Sequence, residues 1–225
     1  METIYTIPVN RTFEESGECP FCRLYRELEA NELDLILGAS LMEPDVRIKT
    51  NKLGFCRKHY ADMFAGKNRL GLALMLETHL DAVQDAISPG AIGFKDRSER
   101  IAKAAAEING SCYICERIAV HFGKMFETCM ILWENDKEFR KKFASQSYFC
   151  LPHYQTMMET AKKYIPKKLM NEFLVSAENI QTEYQNKLRE DLALFARKFD
   201  YRYKDEPWGD AKDSIERTIA FLGGK

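Results

Sequence analysis

The sequence predicts an all-α fold: two duplicated helical units and one long C-terminal amphipathic helix. Three observations lead there. A four-residue signature occurs twice in one register. Apolar residues recur at three- and four-residue steps through nearly every segment between the signatures, which is the period of a helix with one buried face. Strand-like alternation is absent, apart from a candidate extended piece at 4–9.

The elements follow in chain order. Pro20 suits the first turn of a helix over 20–37, where its missing N–H has no intrahelical acceptor, and Gly38 is the stop. Leu24, Leu28 and Leu35 give this helix its stripe. A short helix over 56–65 is ended by Gly66. A longer one over 68–87 carries Leu72, Met75, Leu76, His79 and Val83 on one face. Ser88-Pro89-Gly90-Ala91-Ile92-Gly93 reads as a linker, since Pro and Gly together end helices. A helix over 98–108 follows, with Ser98 as N-cap and Asn109-Gly110 as stop. The next covers 113–133. Pro166 opens the longest run, in which Leu169, Phe173, Ile180, Tyr184, Leu188, Leu192, Phe195 and Phe199 keep step without a break. A helix over 166–199 is about 50 Å long, and is expected to pack across both halves or bend between them. A loop at Asp205-Glu206-Pro207-Trp208-Gly209 leads to a short helix at 214–222. The expected division is 1–90 for the first unit, 91–199 for the second with the long helix, and 200–225 for a tail packed on the body.

Composition narrows the class. Hydrophobic residues at 45% and charged residues at 30% describe a soluble globular chain, and a net charge of −1 gives no overall attraction to nucleic acid or acidic membranes. The first residues lack a basic stretch followed by an apolar one, so no signal peptide is expected. No apolar run approaches the roughly 20 residues of a membrane span. The expected location is cytoplasmic. In that reducing setting, CxxC pairs serve as metal ligands or redox centres more often than as structural disulfides.

The repeated signature carries the chemistry. Cys19-Pro20-Phe21-Cys22 is followed by Cys56-Arg57-Lys58-His59, and Cys112-Tyr113-Ile114-Cys115 by Cys150-Leu151-Pro152-His153. The two CxxC pairs share one offset, and the two CxxH pairs share an offset one residue longer. The flanks repeat as well: Gly54-Phe55-Cys56 and His59-Tyr60 match Tyr148-Phe149-Cys150 and His153-Tyr154, and Asp45-Val46-Arg47 matches Glu138-Phe139-Arg140. Thiolate and imidazole in a four-donor set make the shell that zinc prefers, with iron the alternative. CxxC at a helix start turns two sulfurs toward one ion, and the positive end of the helix dipole favours thiolate there. Two zinc ions per chain are expected, each stapling a helical unit. The expected sets lie within the repeats: Cys19, Cys22, Cys56 and His59; Cys112, Cys115, Cys150 and His153. A swapped arrangement, CxxC of one half with CxxH of the other, is the alternative. Four protein donors leave no position for a catalytic water, so the sites are expected to be structural.

Other chemistry-bearing residues take plainer readings. His79 lies on an apolar stripe, as a hydrogen-bonded core histidine would. His121 sits beside the stripe of Ile118, Phe122 and Met125, at the surface or its boundary. Cys129 is the one cysteine outside the signatures and reads as a small buried hydrophobe.

Three function classes compete. Cys19-Pro20-Phe21-Cys22 looks like the dithiol of thioredoxin-like oxidoreductases, but Glu14-Glu15-Ser16-Gly17-Glu18 before it is no buried strand and the second copy lacks the proline. A thiol- or zinc-based redox sensor is a softer form of that idea. A nucleic-acid-binding regulator rests on Lys141-Lys142, Lys162-Lys163 and Lys167-Lys168, which read more simply as solvated helix faces. The usual nucleotide, metalloprotease and hydrolase motifs do not occur, so no catalytic residue is assigned. A protein-interaction or adaptor module remains, favoured by elimination, with a protein as its expected partner. Tyr201, Tyr203 and Trp208 either dock a partner or fasten the tail.

Several stretches together resemble an uncharacterised family, a domain of unknown function found mainly in anaerobic Gram-positive bacteria. They are Tyr5-Thr6-Ile7-Pro8-Val9-Asn10, Cys19-Pro20-Phe21-Cys22, Met42-Glu43-Pro44-Asp45-Val46-Arg47, Asn51-Lys52-Leu53-Gly54-Phe55-Cys56-Arg57-Lys58-His59, Asn68-Arg69-Leu70-Gly71-Leu72, Phe199-Asp200-Tyr201-Arg202, and Pro207-Trp208-Gly209 with Lys212-Asp213. The resemblance spans nearly the whole chain and implies no activity. It adds Arg47, Asn68 and Arg69 to Tyr201 and Trp208 as candidates for a partner surface.

Overall fold

The computed structural model describes residues 4–88, 97–203 and 205–224. The linker expected at Ser88–Gly93 lies, beyond Ser88, outside them. Among the described residues there are eleven α-helices and no strand. They are α1 (Thr6–Thr12), α2 (Pro20–Leu37), α3 (Pro44–Leu53), α4 (Arg57–Ala65), α5 (Arg69–Ile87), α6 (Arg97–Asn109), α7 (Tyr113–Asn135), α8 (Lys137–Ala144), α9 (Leu151–Tyr164), α10 (Lys167–Arg197) and α11 (Ser214–Gly223). Short 3-10 turns at Tyr201–Tyr203 and Gly209–Asp213 lie in the tail. No described helix is long and apolar enough to cross a membrane.

Two expectations are corrected at once. Residues 6–9, expected to be extended, are part of α1. The Val9 amide donates to the Tyr5 carbonyl, and Pro8 falls in the first turn, where no intrahelical acceptor is missed. Helical spacing puts Val9 and Thr12 on one buried face. Ser98, expected as a cap, is the second residue of α6.

By internal packing the chain forms two compact units, Met1–Arg26 with Phe122–Lys225, and Glu27–His121. The divide falls inside α2 and inside α7. These are not the halves 1–90 and 91–199, because each unit draws on both copies of the repeat. The long helix α10, expected to pack across both halves or bend between them, belongs wholly to the first unit. Its 31 residues make it about 47 Å long.

The first unit is built on aromatic rings. Phe13, Phe21, Phe126, Phe139, Phe143, Phe149, Phe173 and Trp133 are all buried. Phe21 stacks on Phe126 with centroids 3.9 Å apart, and Trp133 meets Phe173 edge-on at 5.1 Å. Each such pair adds about 0.5–1.5 kcal/mol beyond the area it buries. The tail closes on this body: Phe221 of α11 packs on Tyr184 of α10, Arg217 pairs with Asp191, and Trp208 lies against Phe195.

The second unit leans more on polar contacts. Arg117 of α7 grips Glu32 of α2 with two bonds of 2.6 and 3.0 Å, and that carboxylate is 4% exposed. Arg47 of α3 donates to the Leu74 carbonyl and to the Thr78 hydroxyl of α5, 2.6 Å each. Asn68 caps α5: its Oδ1 accepts from the Gly71 amide at 2.8 Å, while its Nδ2 donates to the Leu37 carbonyl at the end of α2 at 2.7 Å. Apolar burial by Ile36, Met63, Leu72, Met75 and Ile118 completes the core.

Asn68 therefore serves two helix ends. Asn68→Ala is expected to lower stability by about 1–2 kcal/mol, and Asn68→Asp, which keeps only the acceptor, to recover part of that. Thermal denaturation of the three proteins checks this; equal midpoints would remove the double cap from the account.

Candidate metal centres

The eight predicted donors come together in two sets of four, and the sets are swapped. Cys19 and Cys22 meet Cys150 and His153; Cys56 and His59 meet Cys112 and Cys115. In each set the candidate ligand atoms all lie within 4.8 Å of one another. In the first, His153 Nδ1 is 3.6, 3.4 and 3.2 Å from the sulfurs of Cys19, Cys22 and Cys150. In the second, His59 Nδ1 is 3.3, 3.2 and 3.4 Å from those of Cys56, Cys112 and Cys115. Each set could hold a metal ion.

The within-repeat expectation fails for a geometric reason. Helix α2 runs unbroken from Pro20, and α4 docks beside its middle: Lys58 and His59 both bond to Glu29. Glu29 is seven residues beyond Cys22, about 10 Å along the helix axis, too far for one ion to be shared. The other copy repeats the arrangement. His153 lies against Phe122, 5.3 Å between ring centres, and Phe122 is seven residues beyond Cys115 on α7. Each histidine thus touches the CxxC helix of its own copy but takes its CxxC partners from the other copy.

Local contacts fix each seat. Ser111 Oγ donates to the Leu53 carbonyl and the Tyr113 amide to the Gly54 carbonyl, tying the second CxxC to the segment before Cys56. Gly54 has φ +57, and a Cβ there would lie 2.6 Å from His79 Nε2, so a side chain is excluded by both backbone and neighbour. His79 is the buried, hydrogen-bonded histidine expected, its Nδ1 donating to the Asn51 carbonyl at 2.9 Å. At the other centre the Gly17 amide donates to Ser147 Oγ, and the Phe149 amide to Gln181 Oε1 of α10.

Burial and crowding work against free thiolates. Burial, then the neighbouring Cys150 and Cys22, push the Cys19 thiol up; burial and Cys112 push Cys115 up to about 12. Burial also opposes ionisation of Cys56, but the amides of His59 and Lys58 and the thiols of Cys112 and Cys115 outweigh it and hold Cys56 below the usual range. Three sulfurs packed this closely share a need for positive charge, which a divalent ion supplies. Cys129 stays out of both sets, fully buried, its thiol pushed up by burial.

Around the donors the two centres differ. His59 Nε2 lies 3.1 Å from Glu29 Oε1, the carboxylate support that commonly orients a metal-binding imidazole. Glu29, His59 and Asp62 form a further cluster of groups within reach of each other. Lys58 Nζ already sits between its carboxylates at 2.6 and 2.8 Å, so that place is taken by an ammonium group. His153 instead has an aromatic collar of Phe21, Phe122 and Phe126. Sequence reasoning does not single out Glu29 or Phe122 as supports. Aligning the two copies on their CxxC pairs makes them equivalent, which is the signal that could have found them.

The candidate partner residues divide. Arg47 and Asn68 are engaged inside the second unit, as described above. Arg69 is exposed and lies 3.7 Å over the Phe64 ring. Tyr201 is 86% exposed, whereas Trp208 packs on Phe195 with Lys198 over its ring. Of the basic clusters, Lys141 pairs with Glu138, and Lys142 with Glu14 and Asn10.

By comparison with known families, the chain belongs, over residues 1–225, to a family of unknown function, DUF6062. No curated protein and no solved structure matches it.

The swapped pairing predicts which variants act together. Cys56→Ser is expected to remove one ion, adding Cys112→Ser to remove no more, and adding Cys150→Ser to remove the second. Metal analysis of the purified variants reads this, and a within-repeat site would reverse the last two results. Glu29→Gln is expected to weaken metal binding at the second centre by about 10- to 100-fold, measured by chelator competition.

Proposed function

Since family membership assigns no activity, we propose from the geometry that this is a zinc-binding helical protein whose two ions are structural. One observation carries the reading. Around a tetrahedral zinc, bonds of about 2.3 Å to sulfur and 2.1 Å to nitrogen put neighbouring donors about 3.6–3.8 Å apart. The donor separations given above run from 3.2 to 3.6 Å for nitrogen to sulfur, with sulfur pairs at 3.5 Å (Cys22–Cys150) and 3.9 Å (Cys56–Cys115). Four protein donors fill the shell, so each zinc acts as a staple and not as a Lewis acid toward a substrate.

The working surface is then the helices. Phe64 and Leu70 are 60 and 72% exposed at the N-terminal end of α5, where Arg69 lies over the Phe64 ring. Large apolar side chains grouped in this way suit contact with another protein. The function proposed is a cytosolic interaction module, with a protein as partner and this end of the second unit as its contact surface.

Fresh protein is expected to contain two zinc ions per chain. Chelation is expected to unfold both units, because binding free energy on the order of 10 kcal/mol per structural zinc is folding free energy. Metal analysis with circular dichroism tests this; an unchanged spectrum after full zinc removal would overturn the structural role. For the surface, a partner held by the native protein should be lost from a Phe64→Glu, Leu70→Glu variant that melts like the native chain. Equal capture would overturn the assignment.

A further inference from the structure

We infer that the centre of Cys56, His59, Cys112 and Cys115 is an oxidation site, at which hydrogen peroxide joins Cys56 to Cys115. The inference rests on the zinc reading above and adds a chemical difference between the two centres.

The donor types are the same, but access is not. Cys19, Cys22 and Cys150 are all buried, while at the second centre Cys115 is exposed, Cys56 is half-exposed, and only Cys112 and His59 are buried. Thiol oxidation follows exposure, so peroxide reaches the second centre first. The two accessible sulfurs face each other at 3.9 Å. A disulfide needs about 2.05 Å, so the pair must close by about 1.9 Å. Both cysteines stand at helix starts, Cys56 as the extended residue before α4 and Cys115 in the first turn of α7. Helix ends fray more readily than helix middles. Cys112 is set apart from both by its burial and by the Cys115 amide, which donates to its sulfur at 3.5 Å.

The step balances. One thiolate attacks a peroxide oxygen; the O–O bond breaks, leaving a sulfenic acid and hydroxide. The second thiolate attacks the sulfenic sulfur, forming the S–S bond and expelling a second hydroxide. Two protons from solvent make two waters. The sulfurs lose two electrons and the peroxide gains them. Loss of two donors out of four releases the ion, and a dithiol reductant reverses the change.

The test uses the native, zinc-loaded chain. Zinc is counted before and after a small molar excess of hydrogen peroxide, and free thiols are alkylated and cross-links mapped by mass spectrometry. The expected result is loss of one of two ions, a Cys56–Cys115 cross-link, and Cys19, Cys22 and Cys150 still reduced; reductant with zinc restores the start. Loss of both ions together, loss of neither, or a cross-link through Cys112 would overturn the inference. Fewer than two ions before peroxide is added would instead count against the zinc reading itself.

Discussion

An α-helix is a stiff ruler, and in this chain two of them decide where the donors meet. Each CxxC stands at the start of a long helix, α2 or α7. The CxxH of the same copy docks two turns further along, where the helix offers Glu29 or Phe122 and no sulfur. A helix in its hydrogen-bonded form does not shorten, so with the CxxH docked there those four donors stay apart. The donor sets close only when the copies exchange partners. The units drawn across the repeat and the location of each histidine's support follow from that one constraint.

The two units offset the entropy of folding by different means. The first has ten buried aromatic rings among its described residues and a long helix laid over them, so apolar burial dominates. The second depends on an ion pair with a buried carboxylate, a shared cap and an arginine that ties α3 to α5. Burying the Glu32 carboxylate against the part-exposed Arg117 specifies a position more surely than it stabilises one, since desolvation of the carboxylate offsets much of the attraction. The four donors of the second unit are also the set nearer solvent, with Cys115 exposed and Cys56 half-exposed.

Much of this is legible in the sequence. The helix over 20–37 matches to the residue, because Pro20 and Gly38 are unambiguous punctuation. The eight donors stand out because two CxxC and two CxxH pairs seldom fall into one register by chance. Their pairing is not legible. A repeat reports that positions are equivalent, not that they touch, and each CxxC or CxxH has the same internal spacing whichever copy supplies its partner. The short run at 4–9 misleads because a few β-branched residues carry no period. Arg47 and Asn68 look like surface candidates because a motif does not distinguish a residue that meets a partner from one that closes a helix end.

The exchanged pairing also nests one closure inside the other. The inner set links positions 59 residues apart, Cys56 to Cys115, and the outer links Cys22 to Cys150, 128 apart. Closing a loop costs entropy that grows slowly with its length, about 0.6 kcal/mol per doubling. Once the inner loop is tied, the outer one spans a chain already shortened, so its closure is easier than its separation suggests. In chain order the inner four donors all precede Cys150 and His153, so the inner set is complete in the growing chain first, while Cys19 and Cys22 wait for donors from much further along.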